Sequence, residues 1–274
     1  MTAAAAPWTT GEMHVDVLLG IALVGAAYVL AYRRAGRAVE WGRAAAFVAG
    51  LAALAGALNG PLHDLSDYYL FSAHMIQHVV LTLVVAPLLL LGTPTFMVDG
   101  LTAPLLGRPL AGAALRWITR PLPALALYAA ALALWHLPGP YELALEHHGW
   151  HVIQHLVLIA TAVLGWWPVL SASASLPPAS YPAQILYLFA FGMPMTAVAA
   201  MITAAEQPLY PFYAAAPRIT GLDVLADQRL GGLIMWVPAG LVPLVAFTVV
   251  FFRWTASEPD DTEIDDAPAP TIAS

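Results

Sequence analysis

The stretch "LFSAHMIQHVVLTLVVAPLLLLG", residues 70–92, decides the fold, because an apolar run long enough to cross a bilayer begins on His74, Gln77 and His78. A hydrocarbon core of about 30 Å needs about 20 mostly apolar residues in a helix. Six further runs meet that requirement, at residues 14–33, 43–62, 122–137, 150–170, 181–203 and 230–253, and the fourth span in chain order, 122–137, is short. The joints between them are rich in Pro, Gly and charge, among them a linker over 93–121 and a loop over 204–229, and unpaired backbone of that kind has to leave the lipid. The expectation is an all-α polytopic membrane protein, a bundle of seven transmembrane helices over residues 1–254, followed at 255–274 by an acidic, disordered cytoplasmic tail.

Composition agrees. The chain is 60% hydrophobic and 10% charged. Its net charge of −7 owes most to Glu258, Asp260, Asp261, Glu263, Asp265 and Asp266, so the acidity belongs to the tail and points to no nucleic acid and no small-molecule substrate. Cysteine is absent, which excludes disulfides, thiolate nucleophiles and thiolate metal sites. Lysine is absent too, which excludes a retinal protein, since that needs a Schiff-base amine. No positive charge precedes the first run and Arg33 and Arg34 follow it, an order that predicts an uncleaved first span.

Arginine sets the expected orientation. With the N-terminus outside and the C-terminus cytoplasmic, Arg33, Arg34, Arg37, Arg43, Arg108, Arg116, Arg120 and Arg253 lie inside, and Arg218 and Arg229 outside. In that frame all nine histidines fall at the outer end: His14 opens span 1, His63 closes span 2, His74 and His78 start span 3, His136 ends span 4, His147 and His148 follow it, and His151 and His155 start span 5.

"HMIQHVVL" at 74–81 returns as "HVIQHLVL" at 151–158, and Pro61 and Pro138 each stand thirteen residues before the first histidine, which reads as a weak internal repeat of 61–85 in 138–162. Positions i, i+3 and i+4 share a helix face, so His74, Gln77 and His78 form one polar stripe and His151, Gln154 and His155 another, with His147 and His148 one turn earlier. A single imidazole here reads as an interfacial or packing residue. The two pairs together point to a metal or cofactor, because imidazoles four apart can share an ion and ionisable groups in a span are costly. Imidazole suits Zn, Cu, Fe and Ni. Met75 and Met235 add a secondary, soft-ligand hint of copper, as do Met193, Met195 and Met201, and Pro194 is expected to kink span 6. Asp227, with Asp223 and Arg229, is read either as a surface turn or as an acidic partner of a cation site, and Glu142 and Glu146 as solvated or as orienting imidazoles. Trp41, Trp135, Trp150 and Trp254 fall where an aromatic belt would lie.

"SAHMIQHVVLTLVVAPLLLLGTP" at 72–94, "WHLP" at 135–138, "HVIQHLVL" and "DQRLGGLIMW" at 227–236 together resemble the CtaG family of bacterial cytochrome c oxidase assembly factors, the multi-span integral membrane type, over about residues 12–254. The resemblance implies a seven-span protein of the bacterial plasma membrane, needed to mature a haem-copper oxidase and handling copper as a chaperone. Its motif histidines fall on His74, His78, His151 and His155, with His63 and His136 beside them. The expected partners are an oxidase subunit and the lipid bilayer. Holding an ion and passing it on by ligand exchange needs no covalent chemistry, so no enzyme is expected. A b-type cytochrome with haem held between spans 3 and 5, a zinc site, and a metal or proton transporter stand as alternatives.

Overall fold

The computed structural model describes Gly11 and residues 13–258, so the acidic tail lies almost wholly outside the described residues. All regular structure among the described residues is helical. Helix α1 spans Val15–Ala35, α2 Trp41–Ala57, α3 Pro61–Tyr68 and α4 Phe71–Gly92. Then come α5 (Thr95–Leu106), α6 (Pro109–Ile118), α7 (Pro121–His136), α8 (Pro138–Glu146) and α9 (His148–Leu170). The chain closes with α10 (Tyr181–Ala204), α11 (Pro211–Ala215) and α12 (Val224–Thr255). Five of these are long and apolar enough to cross a membrane, and up to seven spans result if α2 with α3 and α6 with α7 are each one bent span. The protein is a multi-pass membrane protein.

Several joints differ from expectation for reasons that the chain makes visible. The linker over 93–121 is not open loop: it holds α5 and α6, and α6 meets α7 at a 78° bend with Pro121 at the first turn of α7, where a missing N–H is tolerated. The run over 43–62 breaks after Ala57, and Gly60, at φ +70°, makes the turn that tilts α3 by 47°. The joint after Pro138 is helical as α8, and the last span starts earlier, at Val224. In α10 the turn falls at Gly192, beside Pro194, where an added Cβ would run into the carbonyl of Ala239.

Helix α4 is the centre of the bundle. It packs on α2, α3, α9 and α12, and 56% of its apolar window is buried against 11% for α1, which rests on α2 at the periphery. Between Leu81 and Val85 its backbone widens into a π-type turn, just before Pro87, whose nitrogen can donate to no helical carbonyl. Thr82 bridges that turn, its hydroxyl donating to His78 O at 2.7 Å while Trp166 Nε1 donates to Thr82 O at 3.0 Å. The start of α4 is held from outside. Asp227 on α12, 1% exposed, accepts hydrogen bonds from the backbone N–H of Phe71 and Ser72 and from the Ser72 hydroxyl. Gly231 lets α12 come this close, since a Cβ there would strike the Phe71 ring.

Candidate metal centre

The two histidine stripes face each other. Helix α4 presents His74 and His78, α9 presents His151 and His155, and the ring centroids of His74 lie 5.2 Å from His151 and 5.9 Å from His155. One nitrogen from each of His74, His151 and His155 can be chosen so that all three lie within 4.8 Å of one another, and all three residues are buried. His136, at the end of α7, and His63, on α3, complete the group from the sides.

The rings of His74 and His78 contact each other directly. Their Nε2 atoms are 2.8 Å apart, a hydrogen-bond distance and too short for two bonds of about 2 Å to one metal at an open angle. They belong instead to a chain of contacts: His136 Nδ1 donates to Leu132 O (2.7 Å), His136 Nε2 meets His78 Nδ1 (3.3 Å), His78 meets His74, His74 Nδ1 meets the Tyr213 hydroxyl (3.0 Å), and Tyr213 donates to Ser66 O (2.6 Å). Burial pushes the Tyr213 phenol up, so it keeps its hydrogen. Both ends of the chain are carbonyls, which only accept. Three neutral imidazoles and one phenol bring four hydrogens to five contacts. One contact along the chain therefore goes without a hydrogen whichever tautomers the rings adopt.

Asp67 orients the other stripe. Its Oδ2 lies 3.4 Å from His151 Nδ1 and 3.4 Å from His63 Nε2, which turns the second nitrogen of His151 toward the cluster. A carboxylate behind an imidazole is the usual support of a metal ligand. Gln77 reaches from α4 to His63 Nδ1 (3.0 Å) and Ala57 O (2.7 Å). Among the described residues, the buried side-chain atoms without a partner are His151 Nε2, His155 Nε2, Gln77 Oε1, Gln154 Oε1, Trp135 Nε1 and Tyr141 OH, all from the two motifs or residues beside them. Such atoms are costly when buried in apolar surroundings, and their concentration here fits a polar or charged guest.

Other anticipated residues lie elsewhere. Met75 and Met235 are fully buried in the apolar core, Met195 is buried there too, and Met193 and Met201 are exposed. Asp227 caps α4 instead of facing the imidazoles, and Asp223 caps its own helix by accepting from Ala226 N. Glu142 accepts from Phe212 N and ties α8 to α11, burial raising its carboxyl above the ordinary range. His147 is exposed as the N-cap of α9, and His148 is exposed one residue later. Trp135 is 6% exposed, inside the bundle, while Trp41 and Trp150 are exposed. Asp67, Tyr141 and Tyr213 were not singled out by the motifs. Asp67 had a signal, its i+4 spacing from His63 on a short amphipathic stretch; Tyr213 comes from a segment 139 residues from His74 and had none.

A multi-pass helical membrane protein with a buried imidazole cluster between two central helices is the class that this architecture defines. The family model for cytochrome c oxidase caa3 assembly factors matches residues 26–257, and the chain belongs to that family. Uncharacterized proteins of Mycobacterium bovis and Mycobacterium tuberculosis are each 26% identical over 89% of the chain, and one of Mycobacterium leprae is 24% identical over the same share. The chain spans 39% of the length of these relatives. No solved structure matches it.

Proposed function

We propose that the chain handles copper for the maturation of a haem-copper oxidase, holding one ion at His74, His151 and His155 and releasing it to an oxidase subunit by ligand exchange. The observation that carries this reading is the convergence of one nitrogen each from His74, His151 and His155 within 4.8 Å of one another, all three residues buried and two of the nitrogens, His151 Nε2 and His155 Nε2, without a partner. A transition-metal ion takes such nitrogen lone pairs. The three imidazoles alone suit several metals; copper is chosen because family membership ties the chain to an enzyme that contains it. Buried methionines packed in aliphatic core add nothing to the choice.

The arginine distribution supports a reading in which the histidine end faces the extracytoplasmic side of a bacterial plasma membrane, where an arriving ion would meet it first. Asp67 holds His151 in the ligating orientation, Tyr213 holds His74, and the surrounding apolar helices keep water from competing. Release requires only that a client's ligands replace imidazoles one at a time, so no covalent step and no catalysis is involved.

The test is a pair of measurements. Purified protein should bind about one copper per chain, and His155→Ala should lose the ion in vitro and oxidase activity in cells. Full oxidase activity in a strain lacking the chain would overturn the assembly role. A Soret band in the freshly isolated protein would replace copper with haem, and metal uptake into vesicles would replace delivery with transport.

A further inference from the structure

A cavity of about 370 Å³ opens between α1, α2 and α9. Most of its wall is aliphatic, and its polar lining is His14, Asp16, His63, His148, His151 and His155. These residues grade from solvent to core. The side chains of His148 and Asp16 are 66% and 63% exposed, whereas His151 and His155 are 5% and 6% exposed and His74 is fully buried.

The imidazoles form an unbroken row along that gradient. Ring centroids are 6.4 Å apart from His148 to His14, 4.2 Å from His14 to His63, 5.9 Å from His63 to His151, 4.4 Å from His151 to His155 and 5.2 Å from His151 to His74. An ion bonded to two rings at once separates their centroids by up to about 6 Å, two metal–nitrogen bonds of about 2 Å plus the ring radii. The rings are thus close enough to follow one another as ligands with small side-chain movements, and at His63, whose nitrogens face Asp67 and Gln77, the Asp67 carboxylate stands between the outer and inner rings.

Carboxylates stand where a cation needs them. Asp16 is 4.0 Å from His148 Nε2 at the mouth, and Asp67 touches both His63 and His151, the last outer ring and the first inner one. The row is anchored rather than accidental, since the His14 backbone donates to Asn59 Oδ1 at 2.9 Å and holds that residue over His63.

We infer that His14, His148 and Asp16 form an outer acquisition site for a transition-metal ion, which then passes over His63 into the inner cluster. This rests on the reading of His74, His151 and His155 as the holding site, and adds to it a separate place where the ion is first caught. The ligand class is an imidazole-binding ion such as copper or zinc. Calcium and magnesium, which demand oxygen donors, do not fit.

Stopped-flow loading of the full chain in detergent with Cu(II) alone, read by quenching of tryptophan fluorescence, tests the inference. The paired variant His14→Ala with His148→Ala should load several-fold more slowly, since it lacks the imidazoles that first catch the ion, and should reach the same final stoichiometry. Asp16→Asn, an exposed change that leaves packing alone, should slow loading in the same direction. Loading at the wild-type rate in both variants would overturn the proposal, as would loss of the finally bound ion, which would make the outer residues part of the holding site. If the wild-type chain takes up no Cu(II) at all, the holding site itself fails and the outer site falls with it. That outcome is distinct from unchanged kinetics in a chain that still fills.

Discussion

Asp67 Oδ2 sits 3.4 Å from a nitrogen of His63 and 3.4 Å from one of His151, a position that fixes which nitrogen of His151 faces the cluster. Replacing it removes orientation without removing a ligand. Asp67→Asn should therefore leave a folded protein whose affinity for copper, measured by competition with a chelator, falls by about 10- to 100-fold. His147→Ala should change nothing in the same assay, because that ring is exposed and does no more than precede α9. Protons compete with metal for imidazole nitrogen, so bound copper should decrease as pH is lowered and return on neutralisation.

Among the elements, α4 carries the most consequence, because its first turn bears His74 and its start is held by a residue 155 positions away, the Asp227 carboxylate beneath Ser72. Asp227→Ala strips three donors of their acceptor in a buried place and should lower stability by about 2–3 kcal/mol in a denaturation experiment. Asp227→Asn keeps an acceptor and should cost less, with copper per folded chain unchanged. Gly231→Val places branched carbon against the Phe71 ring where α12 crosses α4, and should reduce the yield of folded protein more than the same change at Gly240, which faces open space. The same scale shows what a sequence can carry. Apolar length announced most spans, and i, i+4 spacing announced both histidine stripes. It did not announce α5, α6 and α8, because Pro and Gly in those joints mark helix starts and turns as readily as loops.

At the scale of the whole molecule, two stripes similar in sequence lie opposite each other on α4 and α9, each preceded by a short helix that opens on Pro61 or Pro138. That they face one another was not legible in the chain, since periodicity gives the polar side of each helix but not its neighbour. Asp227 reads in the sequence as a surface turn or as a cation's acidic partner, and neither reading includes the distant helix terminus that it caps. Tyr213 closes the cluster from a loop helix with no motif of its own.

The most direct test is the copper content of the purified chain after equilibrium dialysis, set against the paired variant His151→Ala with His155→Ala. About one ion per wild-type chain and essentially none in the variant is the expected result. A wild-type chain that binds none, or a variant that retains its full share, would contradict a metal held between the two helices.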